Sequence, residues 1–398
     1  MLIFKEITED SVLSDIITPH GYLKAWSKLI AFAEATANSD NVLREYIITK
    51  LLSDENVLSL RCENGDVIGE SLYNSALYDI TNIWNTYFEF DFLVMAKANN
   101  LPYMNNYKPA EKNNYKFLSY HNSFLALLIC NNPKELLDGI ITHIKKYGCG
   151  SFAKYIAFTW SNGLVGIEHP DTISFESLVG LEFQKDILIS NTEAFVKGFA
   201  SNNVLLCGDS GTGKSSSVKA LLNKFYQDGL RLVEFPRQHL SKLPEVFKLL
   251  SNRRNKYIIF LDDLSFEEDD VEYKLLKAVI DGQIEKQPDN VLLYATSNRR
   301  NLIKETWADR ASNEEIHARD SMQEKMSLAE RFGIRLIFTS PSQLEYLNIV
   351  ESILKESNVE MTEEIKRQAI IWEMRYNGRS GRTAKQFSNR TISSLKSV

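Results

Sequence analysis

A glycine-rich stretch near the middle of the chain, Gly208-Asp-Ser-Gly-Thr-Gly-Lys-Ser215, constrains the fold more than any other segment. It fits the pattern G-x-x-x-x-G-K-[ST], with an apolar run at 204–207 before it and an amphipathic helical pattern after it. Glycine lets the backbone adopt conformations that side chains forbid, so the N–H groups of the loop can point inward around an anion. The segment therefore predicts a strand, a phosphate-binding loop and a helix whose positive end supports the anion.

Two side chains at the end of this loop carry its chemistry. The Lys214 ammonium can reach the terminal phosphates of a nucleotide, and the Ser215 hydroxyl can ligate Mg²⁺. The residues predicted to bind the nucleotide at this loop are Gly208, Asp209, Ser210, Gly211, Thr212, Gly213, Lys214, Ser215 and Ser216.

A pair of acids follows a second apolar run, YIIFLDDL. In open sheets of parallel strands, ligands bind at the carboxyl ends of the strands, which is where this pair stands. We expect Asp262 to hold Mg²⁺, often through water, and Asp263 to act as the base that polarises an attacking water.

Short apolar runs alternate with helical patterns throughout the second half of the chain. The runs are NNVLLC, LRLVEF, YIIFLD, NVLLYATS and IRLIFTS, and beyond Ser340 only helical patterns remain. Continuous apolar strands that alternate with helices predict a parallel sheet covered on both faces. The expected fold class is α/β, with a parallel-sheet phosphate-loop core and a small C-terminal helical lid.

The first half of the chain is predicted to be mostly helical. GYLKAWSKLIAFAEA and KELLDGIITHIKKYG carry apolar residues at helical spacing, and Gly148 is a plausible helix end. A stretch with glycine and proline at 161–172 is the candidate linker. We therefore expect a helical N-terminal domain at 1–168 that recognises a partner or target, a nucleotide-binding core at 169–340 and a lid at 341–398.

Composition excludes several other classes of protein. The net charge of −6 does not indicate a chain coated in nucleic acid, although a local basic patch remains compatible with it. Four scattered cysteines form no zinc or disulfide pattern, which favours reduced thiols. No signal-peptide pattern and no apolar run of roughly 18–20 residues is present, so the prediction is a cytoplasmic protein without a membrane segment.

Five segments together resemble the AAA+ ATPases, and more closely a bacterial family of predicted AAA+ ATPases classed as a domain of unknown function, DUF815. The segments are FESLVGLEFQKDILISNTEAF, NNVLLCGDSGTGKSSSVKALLN, FLDDLSFEEDD, ATSNRRNL and GRSGRTAKQF. The resemblance covers the chain from about Phe175 onwards. It implies an AAA+ core, ATP and Mg²⁺ as cofactors, a homo-oligomer when ATP is bound, and a protein or nucleic-acid target that it does not identify.

The resemblance also implies roles that spacing alone leaves open. Val179 and Gly180 match the segment that lines the adenine pocket, and Asn298 matches the sensor residue that helps to place the lytic water. Arg331 matches the arginine finger, which reaches the nucleotide of a neighbouring subunit. Arg382 matches the second sensor on the lid, with Arg379 as the other candidate. A planar, permanently charged donor suits the charge spread over a transferring phosphoryl group.

The chain departs from many AAA+ proteins at two points. Asp263 stands where a glutamate is common, and because aspartate is one methylene shorter, slow turnover is expected. The loop after the second core strand, PRQHLSKLPEV, lacks the aromatic-hydrophobic-glycine tripeptide of peptide-threading unfoldases. The leading hypothesis is an ATP-driven switch or motor, and the alternative is a nucleotide-gated interaction module that binds ATP with little hydrolysis. A small-molecule kinase and a GTPase fit less well, because acceptor-site and guanine-binding motifs are not evident.

Overall fold

The computed structural model describes residues 1–18, 21–36, 41–89, 107, 109, 121–265, 271–281, 286–298, 330–376 and 378–396. These residues fall into two compact units, Met1–Tyr155 and Ile156–Val398. The division lies earlier in the chain than the boundary at 168/169 expected from the sequence.

The N-terminal unit is helical, as the periodicity predicts. Its helices are α1 (Lys5–Glu9), α2 (Ser11–Ile16), α3 (Tyr22–Thr36), α4 (Val42–Ser53), α5 (Val57–Asn64), α6 (Glu70–Ile83), α7 (His121–Leu128), α8 (Pro133–Tyr147) and α9 (Gly150–Lys154). A π-helical turn, Trp84–Phe88, continues α6. Asn132 caps the start of α8 by accepting the N–H of Glu135, and Gly148 ends that helix with φ 86°. The apolar faces of these helices share one buried core.

The C-terminal unit is built on a seven-stranded sheet in the order β2-β1-β4-β5-β6-β3-β7. Its strands are β1 (Ala157–Trp160), β2 (Leu164–Gly166), β3 (Val204–Gly208), β4 (Leu230–Glu234), β5 (Lys256–Leu261), β6 (Val291–Ser297) and β7 (Ile334–Phe338). All strand pairs are parallel except β1–β2. Every residue of β3 and β6 is buried, as expected for strands covered on both faces. The predicted fold class is therefore confirmed.

The first two strands correct one expectation from the sequence, which placed 157–166 at the end of the helical domain and in a linker. β1 and β2 form a hairpin whose turn includes Asn162 with φ 57° and Gly163 with φ 153°. Phe158 and Trp160 of β1 are buried, and β1 extends the sheet by pairing with β4. The asparagine-glycine pair between two short apolar runs was the available signal for a hairpin.

Helices surround the sheet and form the lid. The helices of the core are α10 (Glu182–Val196), α11 (Lys214–Phe225), α12 (Leu243–Ser251) and α13 (Val271–Ile280), and those of the lid are α14 (Gln343–Glu356), α15 (Glu363–Arg375) and α16 (Gly381–Lys396). A capping box between Ser342 and Glu345 starts α14. The lid has its own small core, which includes Tyr346, Val350 and Phe387. Among the described residues, no helix is long and apolar enough to cross a bilayer.

Candidate phosphate-binding site

The glycine loop follows β3 directly and wraps the start of α11. Gly208 has φ 140°, and a Cβ placed on it would lie 1.8 Å from the carbonyl oxygen of Phe338 on β7. Gly213 has φ 97° and is the residue before the first turn of α11. A side chain at Gly208 would push β3 and β7 apart, and one at Gly213 would strain the backbone where the helix starts. The loop therefore requires both glycines to bring its N–H groups to the helix terminus.

Lys214 is buried inside this loop. Its Nζ donates to the carbonyl oxygens of Gly208 at 2.9 Å and Asp209 at 2.7 Å, and to Oδ1 of Asn298 at 3.0 Å. Burial lowers the pKa of the Lys214 ammonium, and the nearby Asp209 carboxylate opposes this shift. The three acceptors hold the ammonium in the loop at a position that phosphate oxygens could share.

Ser215 and Asp262 lie side by side, as the sequence predicts for a metal pair. The Ser215 hydroxyl donates to Oδ1 of Asp262 at 2.7 Å, and the Thr296 hydroxyl donates to the same oxygen at 2.5 Å. Asp262 is exposed and Ser215 is half-buried, so solvent and a ligand can reach the pair. A hydroxyl and a carboxylate are the hard oxygen donors that Mg²⁺ takes together with phosphate oxygens and water. The donor set therefore fits the magnesium ion that the sequence implies.

The second acid, Asp263, adopts an unusual backbone conformation. Its φ of 53° lies in the left-handed region, where aspartate and asparagine are enriched among residues other than glycine. Its backbone N–H donates to the Thr296 hydroxyl at 2.9 Å, and its Oδ1 accepts from Nδ2 of Asn298 at 2.6 Å. The turn and these two contacts fix the direction of a side chain that is shorter than glutamate.

Strand order explains why these groups meet. β6 lies between β3, which carries the glycine loop, and β5, which carries the acid pair. Asn298 follows the end of β6, so its amide sits between Lys214 and Asp263 and bonds both. The predicted sensor residue is therefore adjacent to the predicted base and the predicted phosphate lysine.

Thr296 is a site residue that the sequence reasoning missed. Its hydroxyl donates to Asp262 and accepts the N–H of Asp263, and its carbonyl accepts the N–H of Leu264. One sequence feature could have revealed it: Thr296 is a hydroxyl residue in a mostly apolar strand. It stands two positions before Asn298 and therefore on the same face of the strand. Thr296 positions both acids at once.

The remaining polar residues of the loop shape its backbone. The Thr212 hydroxyl donates to the carbonyl of Asp209, Ser210 is exposed at the tip, and Ser216 is half-buried in the first turn of α11. Asp209 also accepts hydrogen bonds from Ser340, at 3.1 Å from its N–H and 2.8 Å from its hydroxyl. Ser340 stands where the core gives way to the lid, so this second missed residue ties the loop to the start of the lid.

The lid contacts the glycine loop through the start of α16. The N–H of Arg382 lies 3.4 Å from the carbonyl oxygen of Gly211, and a Cβ on Gly211 would lie 3.0 Å from the Ser380 hydroxyl and 3.1 Å from Cβ of Arg382. The side chain of Arg382 is exposed. Arg379 instead pairs with the buried carboxylate of Glu373 at 3.7 Å. Of the two candidate lid arginines, Arg382 is thus the one whose backbone abuts the loop.

The expected adenine segment also lies beside the loop. A Cβ on Gly213 would lie 3.0 Å from Cδ1 of Leu181, which follows the turn formed by Val179 and Gly180. Gly180 has φ 78° and is exposed, and Val179 is half-buried. The chain therefore brings this turn to the first turn of α11.

Arg331 is the one predicted residue that lies away from the loop of its own chain. It precedes β7, whose first residue pairs with the start of β3, whereas the glycine loop follows the end of β3. Five strand residues at about 3.3 Å each put roughly 16 Å between the two edges of the sheet. Arg331 pairs with Asp281, which follows α13. The structure therefore separates the arginine from the other predicted site residues.

Two solved structures are similar to part of this chain. A Thermotoga maritima RuvB mutant is 18% identical over 56% of this chain and 66% of its own, with a TM-score of 0.40. Aeropyrum pernix ORC1, solved in complex with DNA, is 17% identical over 53% of this chain and 59% of its own, with a TM-score of 0.38. The chain thus spans less than two thirds of either structure. No curated protein matches.

The family match extends over more of the chain than either structure. The model of the family described as "Protein of unknown function (DUF815)" covers residues 153–395 of the 398, from just before β1 to the end of α16. This range contains the glycine loop, the acid pair, Asn298, Arg331 and Arg382. The resemblance inferred from the motifs is thereby confirmed, and the chain belongs to the DUF815 family.

Proposed function

We propose that the chain is an AAA+ type ATPase that couples hydrolysis of Mg²⁺-ATP to conformational change or assembly on a macromolecular target. One observation carries the proposal. The glycine loop with its buried lysine, the Ser215–Asp262 pair and the Asp263–Asn298 pair meet at one edge of the sheet. A hydrogen bond from Lys214 to Asn298 joins the loop to the second pair. These are the groups that phosphoryl transfer from a nucleotide requires.

Each side chain has a distinct part in the proposed reaction. The loop N–H groups and Lys214 bind the phosphates, and Ser215 and Asp262 would hold Mg²⁺. The metal would supply positive charge to the phosphate oxygens when bound. Asp263 accepts a proton from the attacking water on its carboxylate, and Asn298 orients that water through its amide. We assign to Arg382, whose backbone abuts the loop, the stabilisation of the negative charge that develops on the phosphates.

The geometry of Asp263 also favours a second candidate, the nucleotide-gated module with little hydrolysis. The Asp263 carboxylate is short and already accepts a hydrogen bond from Asn298 at 2.6 Å. This contact competes with a water for the same oxygen. Slow turnover is therefore part of the proposal, and the measured rate separates the two candidates.

The proposal is tested by phosphate release together with analysis of the nucleotide that stays bound. We expect the wild type to release phosphate slowly and Asp263→Asn to keep ATP bound and unhydrolysed, since the amide cannot accept the proton. Asp289→Asn is the matched control, because Asp289 precedes β6 at the opposite edge of the sheet and is highly exposed. If Asp263→Asn released phosphate at the wild-type rate, Asp263 would not be the base. Nucleotide binding by the wild type without phosphate release would favour the gated module.

We further propose that ATP assembles the chain into a homo-oligomer in which Arg331 completes the site of a neighbour. The separation of Arg331 from the loop of its own chain supports this role, because an arginine at the opposite edge of the sheet cannot reach phosphates held by that loop. Light scattering with Mg²⁺-ATP is expected to show a multiple of the 45.6 kDa monomer mass. Arg331→Ala should lower turnover, and Arg367→Ala, which removes an exposed lid arginine, should not. A monomeric mass with ATP bound would contradict the shared site.

We place this activity in the cytoplasm. The four cysteines of the chain are all free thiols, and three of them are buried. Burial raises the pKa of the Cys62 thiol to about 11, which keeps it in its unreactive protonated form. Reduced structural thiols suit a reducing compartment, and fractionation of cells that express the tagged chain tests the assignment.

A further inference from the structure

The charge of the chain is distributed unevenly at its C-terminal end. Six basic residues and no acidic residue follow Glu373, in a chain whose net charge is −6. The basic residues are Arg375, Arg379, Arg382, Lys385, Arg390 and Lys396. Four of these six lie on α16, and Arg375 and Arg379 precede it. The end of the lid is therefore a local positive region on an acidic protein.

One face of α16 is exposed and polar along its length. The exposed residues on this face recur at helical spacing and form what we call the α16 stripe: Arg382, Lys385, Gln386, Asn389, Arg390 and Ser393. The opposite face packs into the lid through Ala384, Phe387 and Thr391. The stripe contains no acidic residue and no apolar residue. Three cations, two amides and a hydroxyl therefore lie along one line on the surface.

The charges of the stripe are available to a partner as far as the described residues of the lid show. In the described part of the chain, no ion pair joins Arg382, Lys385 or Arg390 to an acidic side chain. The guanidinium of Arg390 lies 5.2 Å from the centre of the Trp372 ring on α15, and the arginine remains exposed. Stacking on the ring orders this side chain before any partner arrives, which lowers the entropy lost on binding.

We propose that the α16 stripe binds the phosphate backbone of a nucleic-acid duplex. Lysine and arginine neutralise phosphates, and glutamine, asparagine and serine donate hydrogen bonds to phosphate oxygens and base edges. A helix of 16 residues is about 24 Å long, and a single helix fits the major groove of B-DNA. An anionic lipid surface is the other polyanion to consider, but helices that lie in a membrane carry a large apolar face, and the stripe has none.

The same helix links this surface to the ATP site. Arg382 is both the first residue of the stripe and the residue whose N–H abuts Gly211 of the glycine loop. Any shift of α16 when it binds a duplex would therefore move the residue that contacts the glycine loop. This coupling rests on the proposed ATPase function, whereas the binding of a duplex does not.

The binding is tested by fluorescence anisotropy of the full chain with labelled DNA and RNA duplexes, without nucleotide, over a series of salt concentrations. The test variant is Lys385→Gln with Arg390→Gln, which touches no residue of the ATP site. The matched control is Lys355→Gln with Arg367→Gln, which removes the same charge from exposed positions on α14 and α15. Because each phosphate contact contributes about 0.9 to the slope of log K against log salt, the test variant should lose about 2 from that slope. The control variant should keep the wild-type slope.

Three outcomes would overturn the proposal. They are no binding of duplexes by the wild type, an equal loss of duplex affinity in the test and control variants, or an unchanged salt slope in the test variant. Binding to anionic vesicles without binding to duplexes would likewise reject nucleic acid as the partner. Circular dichroism of both variants checks that the lid is folded. The assay contains no ATP, so its result does not depend on the proposed function. If the protein bound duplexes but never hydrolysed ATP, this inference would stand and the proposed function would be rejected.

Discussion

Asp79 in the N-terminal unit and Asp262 in the C-terminal unit both accept several hydrogen bonds, but from different kinds of donor. Asp79 is fully buried and accepts the backbone N–H groups of Leu2, Ile3 and Phe4 at 2.7–3.1 Å. Asp262 is exposed and accepts two side-chain hydroxyls. A ligand can displace a hydroxyl that rotates about its own bond, but it cannot displace the backbone of a folded segment. We infer that Asp79 stabilises the fold and that Asp262 is available for chemistry.

The second acids of the two units show the same contrast. Glu63 is buried and accepts from the N–H and the thiol of Cys149 at 3.3 and 3.1 Å. Asp263 is exposed and accepts from the amide of Asn298. Asp79 and Glu63 thus tie distant segments together, whereas the two acids at the edge of the sheet face solvent with side-chain partners. Substitutions at these acids and at the groups that hold them test this distinction, with the largest expected effect first.

Asp79→Ala should have the largest effect, on stability alone. The substitution leaves three backbone N–H groups without their acceptor, so we expect the free energy of unfolding to fall by about 3 kcal/mol. Urea denaturation followed by tryptophan fluorescence measures this change. Asp262→Ala is the comparison, and it should abolish ATP turnover while the unfolding midpoint moves little. A similar loss of stability in both variants would remove the distinction between the two aspartates.

Thr296→Val should affect turnover because it removes the hydroxyl that holds both acids. We expect ATP turnover to fall between about 10-fold and 100-fold, since an incorrectly placed base or metal ligand costs a few kcal/mol of transition-state stabilisation. The kcat should fall more than KM changes, because valine preserves the shape and Lys214 still binds phosphate. Thr296→Ser restores the hydroxyl and should recover most of the rate. A valine variant with wild-type kcat would show that the threonine is only a core residue.

Asp263→Glu should slow the proposed ATP turnover, although glutamate is common at this position in AAA+ proteins. The left-handed φ of 53° disfavours glutamate more than aspartate, so the turn or the contact with Asn298 must change. We expect a decrease in kcat of about 10-fold, or about 1.4 kcal/mol. Steady-state phosphate release measures it. An increase in kcat would mean that the short side chain of Asp263 limits the turnover rate of the wild type and that the conformation of the turn does not.

Asp54→Asn should change stability in a way that depends on pH, with no effect at pH 4. Burial raises the pKa of the Asp54 carboxyl to about 6, and the nearby Glu6 adds to the shift. Because the pKa is higher in the folded chain than the ordinary value of 3.8, ionisation of Asp54 destabilises the fold as the pH rises from about 4 to 6. Asparagine carries no charge, so the variant should equal the wild type below pH 4 and become more stable than it as the pH rises, by up to about 3 kcal/mol above pH 6.

Unfolding of the two proteins across this pH range gives the comparison. Burial lowers the pKa of His143 to about 4, so this residue also titrates near the range. Because both proteins contain it, its contribution cancels in the difference between their free energies of unfolding. A difference that does not change with pH would show that Asp54 is ionised throughout the range in the folded chain.

The sequence predicted the parts of the site whose chemistry requires fixed spacing. The glycine loop, Lys214, Ser215 and the acid pair stand where their motif and strand predict, because phosphate binding allows few alternatives. The hairpin of β1 and β2 was missed because its strands have only four and three residues, too few for a period to show. Thr296 and Ser340 were missed because their roles depend on contacts with residues far away in the chain. Asp79 was missed for the same reason, since it bonds residues more than 70 positions away.

The most direct test of the central claim is a calorimetric titration of Mg²⁺-ATP into the wild type, Lys214→Ala and Lys219→Ala. Both lysines lie on α11, but Lys214 is buried in the glycine loop and Lys219 pairs with Glu234 on β4. We predict one ATP per chain for the wild type, the same affinity for Lys219→Ala, and at least a 10-fold loss for Lys214→Ala. Equal affinity in all three proteins would contradict the claim that this loop binds the phosphates of ATP.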